Sequence, residues 1–417
     1  MEPIITSKDL LDKLSNIERK KQLQKVKLLK TLYHNGPSST SEICDFLRIS
    51  SPTSLTLINE LIKENLLIKK GRGKSIGGRK PQLFHLKNGS FYILSIDIER
   101  FKVQMAILDN NHHNISSTKE FELNIDKNTN SVDAICDYAE GLIEESGLKS
   151  ENILGIGVCM PGLIDAKAGE NHTYLIPQQN NQTLKQILTE RFKKPVYIEN
   201  DVKSCAVAEL KFGLANNKKD VLVLLMDWGI GLGIIMDGAL RSGSTGYSGE
   251  FGHIPFVDDG DLCYCGKRGC LETVASGIAL AKMAKEGIKS GQNSILNELS
   301  DKNIDKIEPH LVIDAANRGD QYAISILSGI GIGIGKGIST LIQLFNPELI
   351  ILGGKMADAQ QYITIPIQQS INTYCMTAIR EKTEIVLSNL GTEARILGIT
   401  SIAIDNLLDD QINLIAL

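Results

Sequence analysis

Hydrophobic positions in the first ninety residues recur at helical spacing and predict three short helices. The stretch KKQLQKVKLLKTLYHNG predicts the first helix, which ends at Gly36. The second begins with a capping box between Ser39 and Glu42, and the third has Ser51 as N-cap and Pro52 at its first helical position. The positions predicted to face inward are Ile43, Phe46 and Leu47 in the second helix and Leu55, Ile58, Leu61 and Ile62 in the third.

Two short strands around a glycine-rich tip follow in LLIKKGRGKSIGGRKPQLFHL, where basic residues occur with no acidic residue among them. Three helices and such a wing are typical of a winged helix-turn-helix, predicted here for residues 1–88. The expected DNA contacts are Ser50, Thr53, Ser54 and Thr56 on the third helix and Arg72, Lys74, Arg79 and Lys80 in the wing. A trihelical protein-interaction module could share the helices but would not need the basic wing.

From residue 89 onward, apolar strands alternate with helices. The predicted strands lie in FYILSIDIERFKVQMAILDN, ENILGIGVCMPGLID, KPVYIEND, DVLVLLMDWGIGLGIIMDG and PELIILGG. The predicted helices lie in SVDAICDYAEGLIEESG, VKSCAVAELKFG and SILSGIGIGIGKGISTLIQLF. Alternation of this kind predicts an α/β body over residues 89–417, with ligands bound near strand ends.

Composition adds the class of protein. A chain of 417 residues with 42% hydrophobic and 23% charged residues can bury large cores in two or three domains. No apolar run reaches the length of a membrane span, and the N-terminus has no apolar signal-peptide segment, so we expect a cytoplasmic protein with no membrane partner. In that reducing compartment the eight cysteines are expected to be thiols or metal ligands.

Charge separates the two parts of the chain. Residues 1–90 hold 17 Lys and Arg against 8 Asp and Glu, a net charge of +9. The remaining 28 basic and 41 acidic residues give −13. This asymmetry suits a polyanion-binding head on an acidic body, although a solvated basic face without a partner would give the same count.

The segment GEFGHIPFVDDGDLCYCGKRGCLE contains the patterns GExGH and CxCGxxGCxE. On these motifs the chain is identified as a member of the ROK family of repressors, open reading frames and sugar kinases. The resemblance covers nearly the whole chain and includes the head, which only the repressor branch carries, as in its N-acetylglucosamine- and xylose-type members. It implies a two-lobed body of the sugar-kinase type, with the actin/hexokinase architecture.

Three cysteines and one histidine cluster within the loop of residues 250–272. His253, Cys263, Cys265 and Cys270 supply one nitrogen and three sulfur ligands, a set that fits a closed tetrahedral zinc site, one per chain. A redox-active or fortuitous cluster is the alternative. The remaining cysteines lie among apolar neighbours and are predicted to be core thiols: Cys44, Cys136, Cys159, Cys205 and Cys375.

Glu250 and Glu272 flank the predicted zinc loop, so a metal would fix both carboxylates, although each alone could be a surface charge. The resemblance implies that both, with His253, line a hexose site. It also implies that Asn200 binds sugar hydroxyls and that the backbone at Gly162 approaches the sugar. Asp201 would occupy the position of the kinases' general base, although the following Val202-Lys203 replaces the usual Ala-Asn.

The phosphate-binding loops depart from the kinase pattern. The first, DxGGTK in the kinases, is DIERFK at residues 97–102, and the second, GTGxG, is DWGIG at residues 227–231. Glu99 and Asp227 would repel phosphate, and the first loop has lost its glycines. The body is therefore predicted to bind a sugar without phosphorylating it, which leaves Asp201 a vestigial base.

The combined prediction is a homodimer, or a dimer of dimers, that binds a palindromic operator and is released by a monosaccharide. An activator and a sensor of a sugar-transport protein are alternatives within the same family. An active ATP-dependent sugar kinase with an attached DNA-binding domain is the alternative from a different functional class.

Overall fold

The computed structural model describes residues 8–73, 80–125, 131–175, 182–300 and 302–416. Contacts divide the chain into two compact units. Unit 1 comprises Met1–Gly162, Ala166–Glu199 and Ile399–Leu417, and unit 2 comprises Leu163–Asp165 and Asn200–Gly398. Residues 1–88, called the head below, fall in unit 1 together with the first α/β lobe. The domain boundary after residue 88 stays a prediction from the sequence.

The head contains the predicted three helices and two wing strands. Its elements are α1 Lys8–Leu11, α2 Asn16–Asn35, β1 Ser38–Ser39, α3 Thr40–Leu47, α4 Ser51–Lys63, β2 Leu67–Arg72 and β3 Gln82–Leu86. The three strands pair antiparallel in the order β1-β3-β2. Capping boxes at Ser15 and Ser39 satisfy backbone amides at the starts of α2 and α3, and the Ser39 box confirms its prediction.

The third predicted helix, α4, differs from the prediction in two ways: a different residue caps its N-terminus, and a different face of the helix is buried. Its N-cap is Ser50 rather than Ser51, and Ser50 Oγ accepts from the Thr53 amide. Ser54 is fully buried on the face it shares with Leu57, Ile58 and Leu61, whereas Leu55 is 43% exposed. The prediction that Ser54 points outward and Leu55 inward is therefore wrong, because helical periodicity from Leu57 includes Ser54 and excludes Leu55.

Phe46 in α3 is also misassigned by the sequence. The helix was expected to bury Phe46 and Leu47 beside Ile43, but Phe46 is 54% exposed and only Ile43 is fully buried. An eight-residue helix offers two turns of pattern, which leaves the direction of its apolar face poorly defined.

Helix α2 has two buried faces. One joins the head core, which contains Leu28, Leu29, Leu32, Leu57, Ile58 and Leu61. The other packs on the C-terminal helix α15, Glu393–Ala416, in a cluster with Leu11, Val26, Phe91, Ala403, Ile404 and Leu407. At its edge Lys30 pairs with Asp409, and His34 Nε2 lies 3.0 Å from Asp405 Oδ1. Because α2 serves both cores, contacts do not separate the head from the rest of unit 1.

The first α/β lobe is built on a five-stranded mixed sheet in the order β10-β7-β4-β5-β6. Strands β4 and β5 pair antiparallel, and β4 and β7 pair parallel. The elements are β4 Tyr92–Ile98, β5 Lys102–Asp109, β6 Lys119–Glu122, α5 Ser131–Ser146, β7 Ile153–Met160, β8 Ile164–Asp165, β9 Glu170–Asn171, α6 Leu184–Phe192 and β10 Val196–Asn200. Residues 164 and 165 of β8, and Asn200 at the end of β10, belong to unit 2.

Unit 2 contains a second five-stranded sheet in the order β13-β12-β11-β14-β15. β14 pairs parallel with β11 and β15, and β12 pairs antiparallel with β11 and β13. Its elements before the start of α15 are α7 Asp201–Phe212, β11 Val221–Met226, β12 Ile230–Met236, β13 Ala239–Leu240, α8 Glu272–Ala275, α9 Gly277–Lys289, α10 Leu296–Leu299, α11 Pro309–Asn317, α12 Gln321–Phe345, β14 Leu349–Gly353, α13 Gln361–Tyr374, α14 Thr377–Arg380 and β15 Glu384–Leu387. Together with the first lobe, it confirms the predicted α/β class.

Short 3-10 helices complete the chain at Ser150–Asn152, Phe251–His253, Ile304–Lys306 and Lys355–Ala359. The core of unit 2 lies between its sheet and helix α12. Among the described residues α12 alone is long and apolar enough to cross a membrane, but half of its most apolar window is buried inside the protein. Its glycines allow close helix packing: a Cβ on Gly335 would lie 2.5 Å from the Ile367 carbonyl oxygen of α13.

Candidate functional site

The exposed surface of the head includes part of the predicted DNA-contact set. Ser50 and Thr56 are exposed, Thr53 is half-buried, and Arg72 and Lys80 are exposed at the two wing strands. Ser54 is buried and is removed from the set. Lys74 and Arg79 lie outside the described residues.

The hydroxyls on α4 also serve the helix itself. Ser50 Oγ and Thr53 Oγ1 lie 2.8 Å apart at the N-cap, and Thr56 Oγ1 donates to the Pro52 carbonyl at 2.9 Å. The outer face of α4 also carries exposed Asn59, which the sequence interpretation missed. Its position three residues after Thr56 would have identified it once the rotation of α4 was set correctly.

The four predicted metal ligands come together in unit 2. One ligand atom from each of His253, Cys263, Cys265 and Cys270 lies within 4.8 Å of every other. Cys263 Sγ lies 3.6 Å from His253 Nδ1, and the sulfurs of Cys265 and Cys270 are also 3.6 Å apart. A tetrahedron with bonds of about 2.3 Å has edges of about 3.8 Å, so the spacing suits a zinc ion.

The backbone of the loop makes this convergence possible. Isolated antiparallel bridges pair Pro255 with Cys270 and Leu262 with Arg268. Gly269 has φ of 70°, and a Cβ there would lie 1.8 Å from the Val257 carbonyl oxygen, so only glycine fits between the ligands. The other predicted core thiols, Cys136, Cys159, Cys205 and Cys375, are buried, and Cys44 is half-buried.

The electrostatics of the cluster suit a bound cation. Burial raises the pKa of Cys263, and burial together with bonds to the other two thiols raises the pKa of Cys270 to about 12. Burial also lowers the pKa of His253, which keeps its imidazole neutral. For Cys265, burial raises the pKa, but hydrogen bonds from the Lys267 amide and the two other thiols oppose this, and the pKa is lowered. A bound divalent metal favours thiolate and neutral imidazole ligands. The residues present therefore fit zinc.

The two nitrogens of His253 face different groups. Nδ1 faces the Cys263 sulfur, whereas Nε2 lies 3.1 Å from the Tyr264 hydroxyl and 3.9 Å from Glu250 Oε2. A metal on Nδ1 would thus leave Nε2 directed to the carboxylate of the predicted sugar site. Tyr264 lies between Cys263 and Cys265 in the CxC pattern. The sequence interpretation missed it because an aromatic residue between two metal ligands does not by itself indicate a function.

Asn200 and Asp201 stand where β10 passes into α7. Asn200 Oδ1 caps the helix by accepting from the amides of Val202 at 3.1 Å and Lys203 at 3.4 Å. Asp201 Oδ1 accepts from the Val202 amide at 2.8 Å. Both side chains are thus held at the end of a strand, where ligands of α/β proteins commonly bind.

The two glutamates of the motif have different surroundings. Burial raises the pKa of Glu250, and the positive charge of Lys203 opposes that shift. Glu272 is buried, and its Oε2 accepts from the Ile230 amide at 3.1 Å. A Cβ on Gly229 would lie 2.5 Å from that oxygen, so Glu272 also shapes the turn that replaces the second phosphate loop.

Gly162 belongs to unit 1, whereas the other predicted sugar residues belong to unit 2. Its φ is 102°, and a Cβ there would lie 2.9 Å from both Asn171 Oδ1 and Thr173 Cβ. Asn171, which the sequence interpretation missed, orders this loop by donating to the Pro161 carbonyl at 2.9 Å and accepting from the Thr173 amide at 2.8 Å. Glycine is therefore required at residue 162 by packing within unit 1.

The acidic residues of both altered phosphate loops have basic neighbours. Within unit 1, Glu99 is buried and lies 3.8 Å from Lys102 Nζ. Within unit 2, Asp227 Oδ2 accepts from Arg395 Nη1 at 3.0 Å, and both side chains are largely buried. Like-charge repulsion is therefore weaker than the sequence alone suggests, because each carboxylate is partly neutralised. The difference that remains is the absence of the two glycines of the kinase pattern from the first loop.

Comparison with known proteins finds similarity to both transcriptional regulators and sugar kinases. The chain is 30% identical over 391 residues to the xylose repressor of Caldicellulosiruptor bescii, covering 93% of this chain and 97% of that one. A crystal structure of a ROK family transcriptional regulator, a homologue of the E. coli MLC protein, is 24% identical, with a TM-score of 0.76 over 94% of this chain and 99% of that one. At that identity the likeness shows the fold.

A ROK family glucokinase from Streptomyces griseus, solved in complex with glucose and AMPPNP, matches with a TM-score of 0.66 and 30% identity. The match covers 75% of this chain and 99% of the glucokinase. The model of the ROK family matches residues 93–406, which is most of the α/β body. The chain therefore belongs to the ROK family.

Proposed function

We propose that this protein is a sugar-responsive transcriptional repressor of the ROK family. The observation that carries the proposal is the combination, in one chain, of a small N-terminal part of three helices and a basic strand pair with a unit that contains the assembled cluster of His253, Cys263, Cys265 and Cys270. The residues Asn200, Asp201, Glu250 and Glu272 lie in the same unit as this cluster. The similarity to a xylose repressor extends over nearly the full length of both chains and supports the same assignment.

The head would bind operator DNA through α4 and the wing. Helix α4 presents Thr56 and Asn59 outward, and Ser50 and Thr53 stand at its start. Arg72 and Lys80 are exposed, and Lys74 and Arg79 are predicted contacts from the sequence alone. Short polar side chains suit base edges and phosphates, and basic wing residues suit phosphates or the minor groove. A homodimer, or a dimer of dimers, would place two heads on a palindromic operator.

The body would bind a monosaccharide through carboxylate and amide oxygens. Asp201, Glu250 and Glu272 accept hydrogen bonds from sugar hydroxyls, Asn200 adds an amide, and Nε2 of His253 adds a ring nitrogen. The backbone at Gly162 is the remaining proposed contact. Zinc, held by His253 and the three cysteines, would fix the segments that carry Glu250 and Glu272.

The sugar acts in this scheme by binding more tightly to the DNA-free state than to the DNA-bound state. Only such a difference in affinity can shift the equilibrium between them. The protein would therefore release its operator when the sugar is present and work in the cytoplasm, where the DNA is. If no sugar binds in the screen, the result would favour the alternative in which the protein responds to a sugar-transport protein and not to a free sugar.

Loss of kinase activity is part of the proposal. The first loop lacks the glycines that let backbone amides approach phosphate, and each altered loop carries a carboxylate, Glu99 in the first and Asp227 in the second. The observation that favours a working kinase is Asp201, which is retained at the position of the general base, together with the similarity to a glucokinase.

Two assays separate these functions. The purified protein is first screened by thermal shift against common monosaccharides, and operator sequences are selected from a random DNA pool. We expect a sugar that raises the melting temperature and lowers operator affinity, and no phosphorylated sugar above background with ATP and magnesium. Turnover that disappears in Asp201→Asn would show that the protein is a working kinase.

A further inference from the structure

Lys203 is a buried cation in unit 2, two residues after the predicted base position Asp201. It is only 4% exposed, and its Nζ donates to the Gly246 carbonyl oxygen. Burying an ammonium group destabilises a protein unless hydrogen bonds or opposite charges compensate for the lost hydration. A methionine would fill the same space without that cost, so packing does not explain a lysine here.

The loop that Lys203 reaches connects β13 to the motif GExGH. Residues 241–249 have neither helix nor strand, and Gly243, Gly246 and Gly249 all have positive φ, between 75° and 92°. Ser248 holds the loop to itself, through its amide to the Ser242 carbonyl at 3.1 Å and its hydroxyl to the Arg241 carbonyl. Such a backbone has many accessible conformations unless it is fixed from outside.

Lys203 supplies an attachment from outside the loop. Its backbone amide is held by the cap at Asn200, and its side chain crosses 43 residues of sequence to Gly246, four residues before Glu250. One lysine therefore joins the segment that carries Asn200 and Asp201 to the segment that carries Glu250. An ammonium group has three donors, and Gly246 takes one of them.

We propose that Lys203 is a positioning residue for the monosaccharide, which ties the loop of residues 241–249 to α7 and so fixes Glu250 relative to Asn200 and Asp201. The proposal rests on the proposed function, because it assumes that a sugar binds these residues. It goes further by assigning a role to a side chain outside the sugar-binding set. The ligand would not be an anionic sugar, since Lys203 is bonded within the protein and the remaining charged groups of the proposed sugar set are carboxylates.

The test measures the loop and the sugar separately. Hydrogen exchange of the peptide containing residues 242–249 is compared, without sugar, in the wild type, Lys203→Met and Lys203→Arg. Lys289, exposed at the end of α9, gives the matched control Lys289→Met. We expect this loop to exchange at least tenfold faster in Lys203→Met, whereas the other peptides of unit 2 exchange as in the wild type. Lys289→Met should leave exchange of the loop unchanged. Lys203→Arg should exchange more slowly than Lys203→Met, because arginine can restore the hydrogen bond.

Sugar affinity is measured next by calorimetry with the monosaccharide found in the screen. We expect at least tenfold weaker binding in Lys203→Met, with zinc content and operator affinity unchanged. Lys203→Asn serves the same purpose if the methionine variant does not fold. Wild-type exchange of the loop in a folded variant, or unchanged sugar affinity, would overturn the proposal. If the wild type binds no sugar but hydrogen exchange of the loop is still faster in Lys203→Met, the proposed function is contradicted. The tether between Lys203 and the loop would then be established by itself.

Discussion

At the scale of a single residue, the imidazole of His253 joins the proposed metal cluster to the proposed sugar site. Its Nδ1 faces the thiols, and its Nε2 faces Tyr264 and Glu250. A metal on Nδ1 would fix the ring plane and with it the direction of Nε2. Loss of zinc should therefore weaken sugar binding even though none of the three cysteines is among the proposed sugar contacts.

Replacing Cys265 with serine tests this link. We expect zinc to fall from one equivalent per chain to well below it, because a serine hydroxyl is a much weaker zinc ligand than a thiolate, and sugar affinity to fall with it. Metal content is measured by atomic emission and sugar binding by calorimetry. Cys44→Ser, which changes a head cysteine that is not one of the predicted ligands, should retain both. A freshly purified wild type without zinc would contradict the metal assignment.

Ser54 gives a prediction that separates the inward from the outward face of α4. Its buried hydroxyl has no hydrogen-bond partner among the described residues. Removing an unsatisfied buried hydroxyl stabilises a protein by about 1 kcal/mol, so Ser54→Ala should raise the denaturant midpoint and leave operator affinity unchanged. Thr56→Ala, on the exposed face, should weaken operator binding without raising stability. Loss of operator binding in a folded Ser54→Ala would restore the discarded contact.

Among elements, the wing carries the largest share of the head's exposed basic residues. Arg72 ends strand β2 and is exposed. If it contacts a phosphate, Arg72→Ala should reduce the slope of log K against log salt by about one unit and weaken binding to every operator variant alike. Lys289→Met, far along the chain in α9, is the control for a change in net charge. An unchanged slope would remove Arg72 from the interface.

The sequence predicts a structural element correctly where the pattern that indicates it involves residues close together in the chain. The capping box at Ser39, the strand in KPVYIEND and the cysteine loop each depend on neighbours in sequence. The rotation of α4 was missed because shifting the cap by one residue turns a helix face by about 100°. The Asp227–Arg395 pair and the Lys203 tether join residues 168 and 43 positions apart, and no local pattern indicates such contacts.

At the scale of the whole molecule, the head shares its first long helix with the core that holds the C-terminal helix. Helix α2 packs on α15 through Val26 and pairs with it through Lys30 and His34. The proposed DNA-binding surface therefore lies on a part of the chain that packs within unit 1 and is not joined to it by a free linker. A change in unit 1 would reach the head through packed side chains.

The central claim is that the body senses a sugar and the head releases DNA in response. It is tested most directly by measuring operator affinity of the wild type and of Glu250→Ala across a titration of the sugar found in the screen. Losing one charged hydrogen bond to the sugar costs about 1.5–3 kcal/mol, so the variant should need more than tenfold more sugar for release. Its operator affinity without sugar should match the wild type. Equal sugar response in both proteins, or loss of operator binding in folded Glu250→Ala without sugar, would contradict the account.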